Sequence, residues 1–86
     1  MTDRLKRLRF RAWHRGTRDA DYMIGGFFDR YSPDWGEEEI RWYEAVVEED
    51  DFDIMAWALG TGEPPTHLDH AALIAAMRRL DYIPLP

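Results

Sequence analysis

Cysteine is absent from this 86-residue chain, so neither a disulfide staple nor a thiolate metal site is available to it. That composition suits a reducing compartment and predicts a cytoplasmic home in a bacterium, or the mitochondrial matrix in a eukaryote. No apolar run approaches the roughly 18 residues of a membrane span, and the N-terminus lacks the apolar stretch of a secretory signal, so no membrane association is expected. The opening Arg4 to Arg11 stretch is basic enough to imitate a mitochondrial presequence, but it contains no serine and runs straight into helical periodicity. Ser32 is the sole serine and precedes Pro33, where turn formation accounts for it. Glycine-rich phosphate loops, dinucleotide fingerprints and nucleophile elbows are all missing, which argues against an enzyme.

What the chain does have is aromatic mass and an uneven charge. A domain of this length buries only roughly 60% of the surface its unfolded chain exposes. Four Trp, four Tyr and four Phe compensate, since each buried ring removes on the order of 150 to 250 Å² from water. Met1 to Arg18 carries seven of the eleven basic residues against one acid, Asp3. From Asp34 to Asp53, ten carboxylates face a single arginine. A nucleic acid drawn to the basic head would be repelled by this body, whereas a protein partner suits the layout.

Neither repeats nor linkers divide the chain, so residues 1–86 read as one domain. Apolar positions recur at helical spacing: Leu5, Leu8 and Ala12; Ala20, Met23, Ile24, Phe27 and Tyr31; Ile40, Tyr43 and Val47. Gly16 can end the first helix in a left-handed conformation. The segment Tyr31 to Gly36 ends the second, and Asp34 or Gly36 can cap a third that opens on Glu37-Glu38-Glu39. Asp50 or Asp51 caps a fourth, Phe52 to Leu59, and a fifth is predicted from about His67 to about Leu80, with an irregular tail from Asp81 to Pro86. Short connections place these five helices side by side as an all-α antiparallel bundle. Gly25-Gly26 inside the second helix costs roughly 1 kcal/mol per glycine relative to alanine, so either a neighbouring backbone packs tightly there or the helix is irregular, and tight packing is the favoured reading.

Few residues offer chemistry. His67 and His70, with Asp69, could share a helix face around a metal, but no third and fourth ligand is apparent from spacing, and two polar residues in a first turn need none. The run Glu48 to Asp53 lacks the glycine and ligand spacing of an EF-hand loop. There remains the junction Arg11-Ala12-Trp13-His14-Arg15-Gly16-Thr17-Arg18-Asp19, a compact charged knob beside a helix-breaking glycine. Its chemistry fits equally a helix corner with a solvated salt bridge and a recognition site.

At this junction the sequence resembles the SdhE family, the bacterial and mitochondrial succinate dehydrogenase assembly factors that promote covalent flavinylation. The family's Arg-Gly-x-x-Glu motif and the apolar helix after it correspond to Arg15-Gly16-Thr17-Arg18-Asp19 leading into Phe27-Phe28, with Lys6-Arg7-Leu8 as its basic approach. A second match is Asp51-Phe52-Asp53-Ile54-Met55-Ala56-Trp57 followed by a Gly/Pro-rich connection. The motif's glutamate is Asp19 here, which withdraws the carboxylate by more than about 1 Å.

The resemblance implies a five-helix protein, not itself an enzyme, that binds the flavoprotein subunit of succinate dehydrogenase or fumarate reductase while a histidine of that subunit attacks the flavin. FAD then belongs to the partner, no cofactor is tightly bound here, and the free protein is a monomer. Arg15, Gly16, Arg18 and Asp19 are implied as partner-binding residues, with Arg7 and Arg11 extending their face. Trp57 is expected in the core. A second reading, a small nucleic-acid-binding or regulatory protein, places the basic first helix on phosphates and predicts steep salt dependence.

Overall fold

The computed structural model describes residues 2–84. Among them the chain forms α1 (Asp3–Trp13), α2 (Arg18–Tyr31), α3 (Glu37–Val46), α4 (Asp51–Leu59) and α5 (Ala71–Arg78), and no strand. Each helix begins where a side chain or backbone group satisfies an amide that has no partner within the helix. Thr2 Oγ1 accepts the Leu5 amide, Thr17 Oγ1 the Ala20 amide, and Asp50 Oδ1 the Phe52 amide. At α3, Gly36 is the cap, and its own amide donates to the Glu39 carboxylate at 2.9 Å.

α2 is the central element, packing against α1 on one side and α4 on another, while α5 lies against α4. The thin core expected of so short a chain is filled by rings. Phe27 sits among Tyr31, Trp35, Trp42, Tyr43 and Tyr82, with ring centroids 5.2 to 6.3 Å away. The polar ends of these rings are satisfied: Tyr43 Oη donates to the Ile24 carbonyl at 2.5 Å, and Trp42 Nε1 to the Leu68 carbonyl at 2.8 Å. Burial raises the Tyr43 phenol well above its ordinary pKa, so it remains a neutral donor. Trp57 is buried, as expected.

The glycine pair of α2 is explained by two different neighbours. A Cβ on Gly25 would overlap the indole ring of Trp13, and one on Gly26 would come 2.9 Å from the Tyr82 carbonyl oxygen. Gly25 therefore lets the end of α1 press flat on α2, which fixes where the chain leaves α1.

The fifth helix is shorter than its periodicity suggested. A 3-10 turn, Thr66–Leu68, occupies the predicted first turn and drops Leu68 into the core, and α5 starts only at Ala71. His70 is extended and caps it, Nδ1 accepting the Leu73 amide at 3.3 Å. At the other end Leu80 takes φ +53°, turning Tyr82 back under Gly26, where its hydroxyl donates to the Met77 carbonyl at 2.6 Å. Asp81 to Pro84 are irregular, as read, but fastened through Tyr82; Leu85 and Pro86 lie outside the described residues.

Candidate docking surface at the helix elbow

The connection between α1 and α2 is a tight corner held by a small number of bonds. After Trp13 the backbone leaves the helix at His14 (φ −119°, ψ 63°), and Gly16 takes φ +106°, a conformation that disfavours any side chain. Thr17, extended, then caps α2. The Arg15 amide donates to Asp21 Oδ1 at 2.6 Å, tying the corner to the first turn of the helix that follows.

Arg15 was expected to donate to a partner; in the structure its donors are engaged within the molecule. Its guanidinium reaches inward to the α3–α4 corner: Nε to Asp51 Oδ1 at 2.6 Å, Nη1 to the Val47 carbonyl at 2.9 Å and Nη2 to the Glu49 carbonyl at 3.0 Å. The side chain is only 10% exposed. The planar fork neutralises a carboxylate while closing two carbonyls near the C-terminal end of α3, a task a lysine ammonium cannot repeat. Arg15 is thus a strut, and its pairing partner is not Asp19 but a residue 36 positions downstream.

The rest of the motif faces outward. Gly16, Thr17, Arg18 and Asp19 are all exposed. Nothing lies within 4 Å of where a Gly16 Cβ would sit, so the glycine is required by its φ and leaves open space above it. Among the described residues neither Arg18 nor Asp19 has an ion-pair partner. A shallow open depression runs beside them, lined by Trp13, His14, Gly16, Thr17, Arg18, Asp21 and Tyr22. It continues into a second one through Trp13 and His14 to Phe10, Arg9 and Lys6. Phe10 is 62% exposed and stacks on His14 at 3.8 Å. Because the Phe10 carbonyl can only accept, its 2.7 Å contact with His14 Nδ1 places a proton on that nitrogen and leaves Nε2 as the ring atom available to a partner. Trp13 Nε1 is buried without a hydrogen-bond partner.

The basic first helix is largely engaged within the protein. Arg4 bridges Glu37 and Glu44, Arg9 pairs with Asp29, and Arg11 with Glu48. Of the two expected outlying contacts, Arg11 is therefore occupied, whereas Arg7 is exposed with no carboxylate in reach among the described residues. The hydrogen bonds from Arg4 and then Arg41 hold the Glu37 carboxyl down from 4.5 to about 2, and Arg4 lowers Glu44 as well. A carboxyl depressed in the folded state adds stability that is present above the unfolded value and lost as pH falls through the folded one. Acid should therefore weaken the α1–α3 contact between pH 4.5 and about 2. Arg4→Met is expected to flatten the pH dependence of the melting temperature across that window, measured by circular dichroism; an unchanged slope would show that these exposed pairs contribute nothing.

Sequence reasoning missed Phe10, Trp13, Asp21 and Asp51. The Gly25 packing site was the available signal for Trp13, since a glycine inside a helix needs a bulky neighbour. Nothing local marks Asp51 as the partner of Arg15. Among the described residues no three His, Asp or Glu side chains converge as a metal site, and His70 serves as a helix cap.

Over residues 6–81 the chain matches the family described as flavinator of succinate dehydrogenase. The chain belongs to this family. It is 39% identical over 57 residues to the FAD assembly factor SdhE of Acetobacter pasteurianus, covering 66% of this chain and 52% of that protein. It is 33% identical over 60 residues to the mitochondrial succinate dehydrogenase assembly factor 2 of Aspergillus flavus, covering 70% of this chain and 20% of that one. The counterpart from Schizosaccharomyces japonicus is 30% identical over 61 residues, 71% of this chain and 43% of the relative. The matched stretch thus spans about half or less of these relatives' own length. No solved structure matches the chain.

Proposed function

We propose that this protein is an assembly factor that binds the flavoprotein subunit of succinate dehydrogenase, or of fumarate reductase, and promotes its covalent attachment of FAD. The observation that carries the reading is the outward-facing stretch Gly16 to Asp19, mounted on a corner that Arg15 and Asp21 hold fixed. The family's description and the relatives' names supply the partner.

In this reading the factor performs no bond chemistry. The histidine that attacks the flavin and the FAD itself belong to the partner. By binding one conformation of the flavoprotein more tightly than others, the factor raises the share of molecules in which histidine and flavin are correctly placed. Orientation of this kind can supply several kcal/mol of a barrier. Gly16 admits close backbone approach, Arg18 donates to partner carboxylates or carbonyls, Asp19 accepts, and Arg7 extends the face. The bacterial and mitochondrial relatives support a site in the bacterial cytoplasm or the mitochondrial matrix. No helix among the described residues is long and apolar enough to cross a membrane.

The nucleic-acid reading is disfavoured on electrostatic grounds. Arg4, Arg9 and Arg11 are neutralised by carboxylates of the same molecule, leaving little of the first helix to release counterions from a phosphate backbone. The test of the leading reading is co-expression with the flavoprotein subunit and measurement of its covalent flavin by in-gel fluorescence. Flavin should rise when the chain is present, and equal fluorescence with and without it would contradict the proposal.

A further inference from the structure

α4 is apolar on two sides. Ile54, Trp57 and Ala58 face the core, while Phe52, Met55, Ala56 and Leu59, spaced three and four apart, form a second stripe in which Met55 and Ala56 are half-buried and Phe52 and Leu59 stand out into solvent at either end. Phe52 is 80% exposed and Leu59 55%. A fold seeking only stability gains nothing from a phenylalanine held so far into water, and large apolar side chains grouped on one helix face mark an interaction site.

We infer that this stripe is a second contact region for the flavoprotein, and that it receives an apolar segment of that partner flanked by basic side chains. The identity of the partner rests on the function proposed above; the stripe and its chemistry rest on the structure. Three observations select this occupant. The stripe begins beside the strut that fixes the elbow: Asp51, which holds the Arg15 guanidinium, is the residue immediately before Phe52. Its rim is acidic, for among the described residues Glu49, Asp50 and Asp53 have no cation within ion-pair distance, so a partner bringing positive charge is favoured. Finally, four side chains of one helix cover only a few hundred Å², well short of the roughly 800 Å² per partner of a stable interface, so the stripe works as part of a larger contact and not as a dimer seam.

The elbow and the stripe then complement each other in charge. Lys6, Arg7 and Arg18 meet acidic groups of the partner at the elbow, and Asp50 and Asp53 meet basic ones beside α4. Two unlike patches on either side of the Arg15–Asp51 pair define the orientation in which the flavoprotein is held.

Binding of the full chain to the purified flavoprotein subunit, measured by titration calorimetry, tests this. Phe52→Ser combined with Leu59→Ser removes only exposed side chains, so helix content should be unchanged by circular dichroism. The dissociation constant should rise about tenfold or more, as expected for losing buried apolar anchors at an interface. Asp53→Lys should also weaken binding. A doubly substituted chain that binds as tightly as wild type overturns the inference. If Gly16→Arg still abolishes binding in that case, the elbow reading survives and the stripe alone is lost; if neither change matters, both fail. A wild-type dimer in sedimentation that Phe52→Ser dissolves would also overturn it, because the occupant would then be a second copy.

Discussion

Gly16→Arg should eliminate the gain in covalent flavin proposed for the wild-type chain, while the protein itself remains helical. Two effects act at this position and they can be separated. A side chain at φ +106° carries backbone strain on the order of 1 to 3 kcal/mol, which a domain holding about 5 to 15 kcal/mol in total can survive. Gly16→Ala bears the same strain and extends only one carbon into the open space above the corner. The arginine projects much farther, into the volume through which another polypeptide must come. Both variants should therefore melt below wild type by a similar amount, yet alanine should retain much of the flavin attachment and arginine none. Equal flavin attachment by the two would mean that only strain matters and that no partner approaches the glycine.

Arg15→Ala should have the largest effect on stability. The substitution leaves Asp51 without its cation and strips hydrogen bonds from the Val47 and Glu49 carbonyls in a half-buried corner. Breaking such a set costs about 2 to 4 kcal/mol, somewhat less than the roughly 3 to 5 kcal/mol of fully buried pairs because Asp51 retains some contact with water. For a chain of this length that is a drop in melting temperature of at least about 8 °C. Arg15→Lys should recover little of it, since an ammonium cannot span a carboxylate and two carbonyls in the geometry of a planar fork. Thermal denaturation decides the matter. If Arg15→Ala melts within about 2 °C of wild type yet loses flavin attachment, the arginine contacts the partner directly, as the sequence first suggested.

These two neighbours show what a sequence can and cannot disclose. Gly16 was legible because a glycine between two periodic segments has a local cause, and the structure gives it the positive φ that the pattern implied. The helix order and the caps at Gly36 and Asp50 were legible for the same reason, being set by residues a few positions apart, and the glycine pair announced close packing without naming Trp13 and Tyr82 as the neighbours. The role of Arg15 was not, because its partners at Val47, Glu49 and Asp51 come near only once α3 and α4 have folded back on the corner. The start of α5 misled for a related reason. His67 and Leu68 carry helical spacing, but the pull of Leu68 into the core and its carbonyl bond to Trp42 override local preference and tighten the turn. Phe52 was read as the start of the fourth helix, and only the assembled fold shows that it stands exposed on an outer stripe of α4.

The proposed function requires the corner residues to touch another protein. A photoreactive amino acid placed at Arg18, which is exposed and without an ion-pair partner among the described residues, reports this directly, with one at the exposed Ala75 of α5 as control. Irradiated in cells expressing the flavoprotein, the Arg18 probe should yield an adduct with the flavoprotein subunit, identified by mass spectrometry, and the Ala75 probe should not. Adducts of equal yield from both positions, or none from Arg18, would contradict the account.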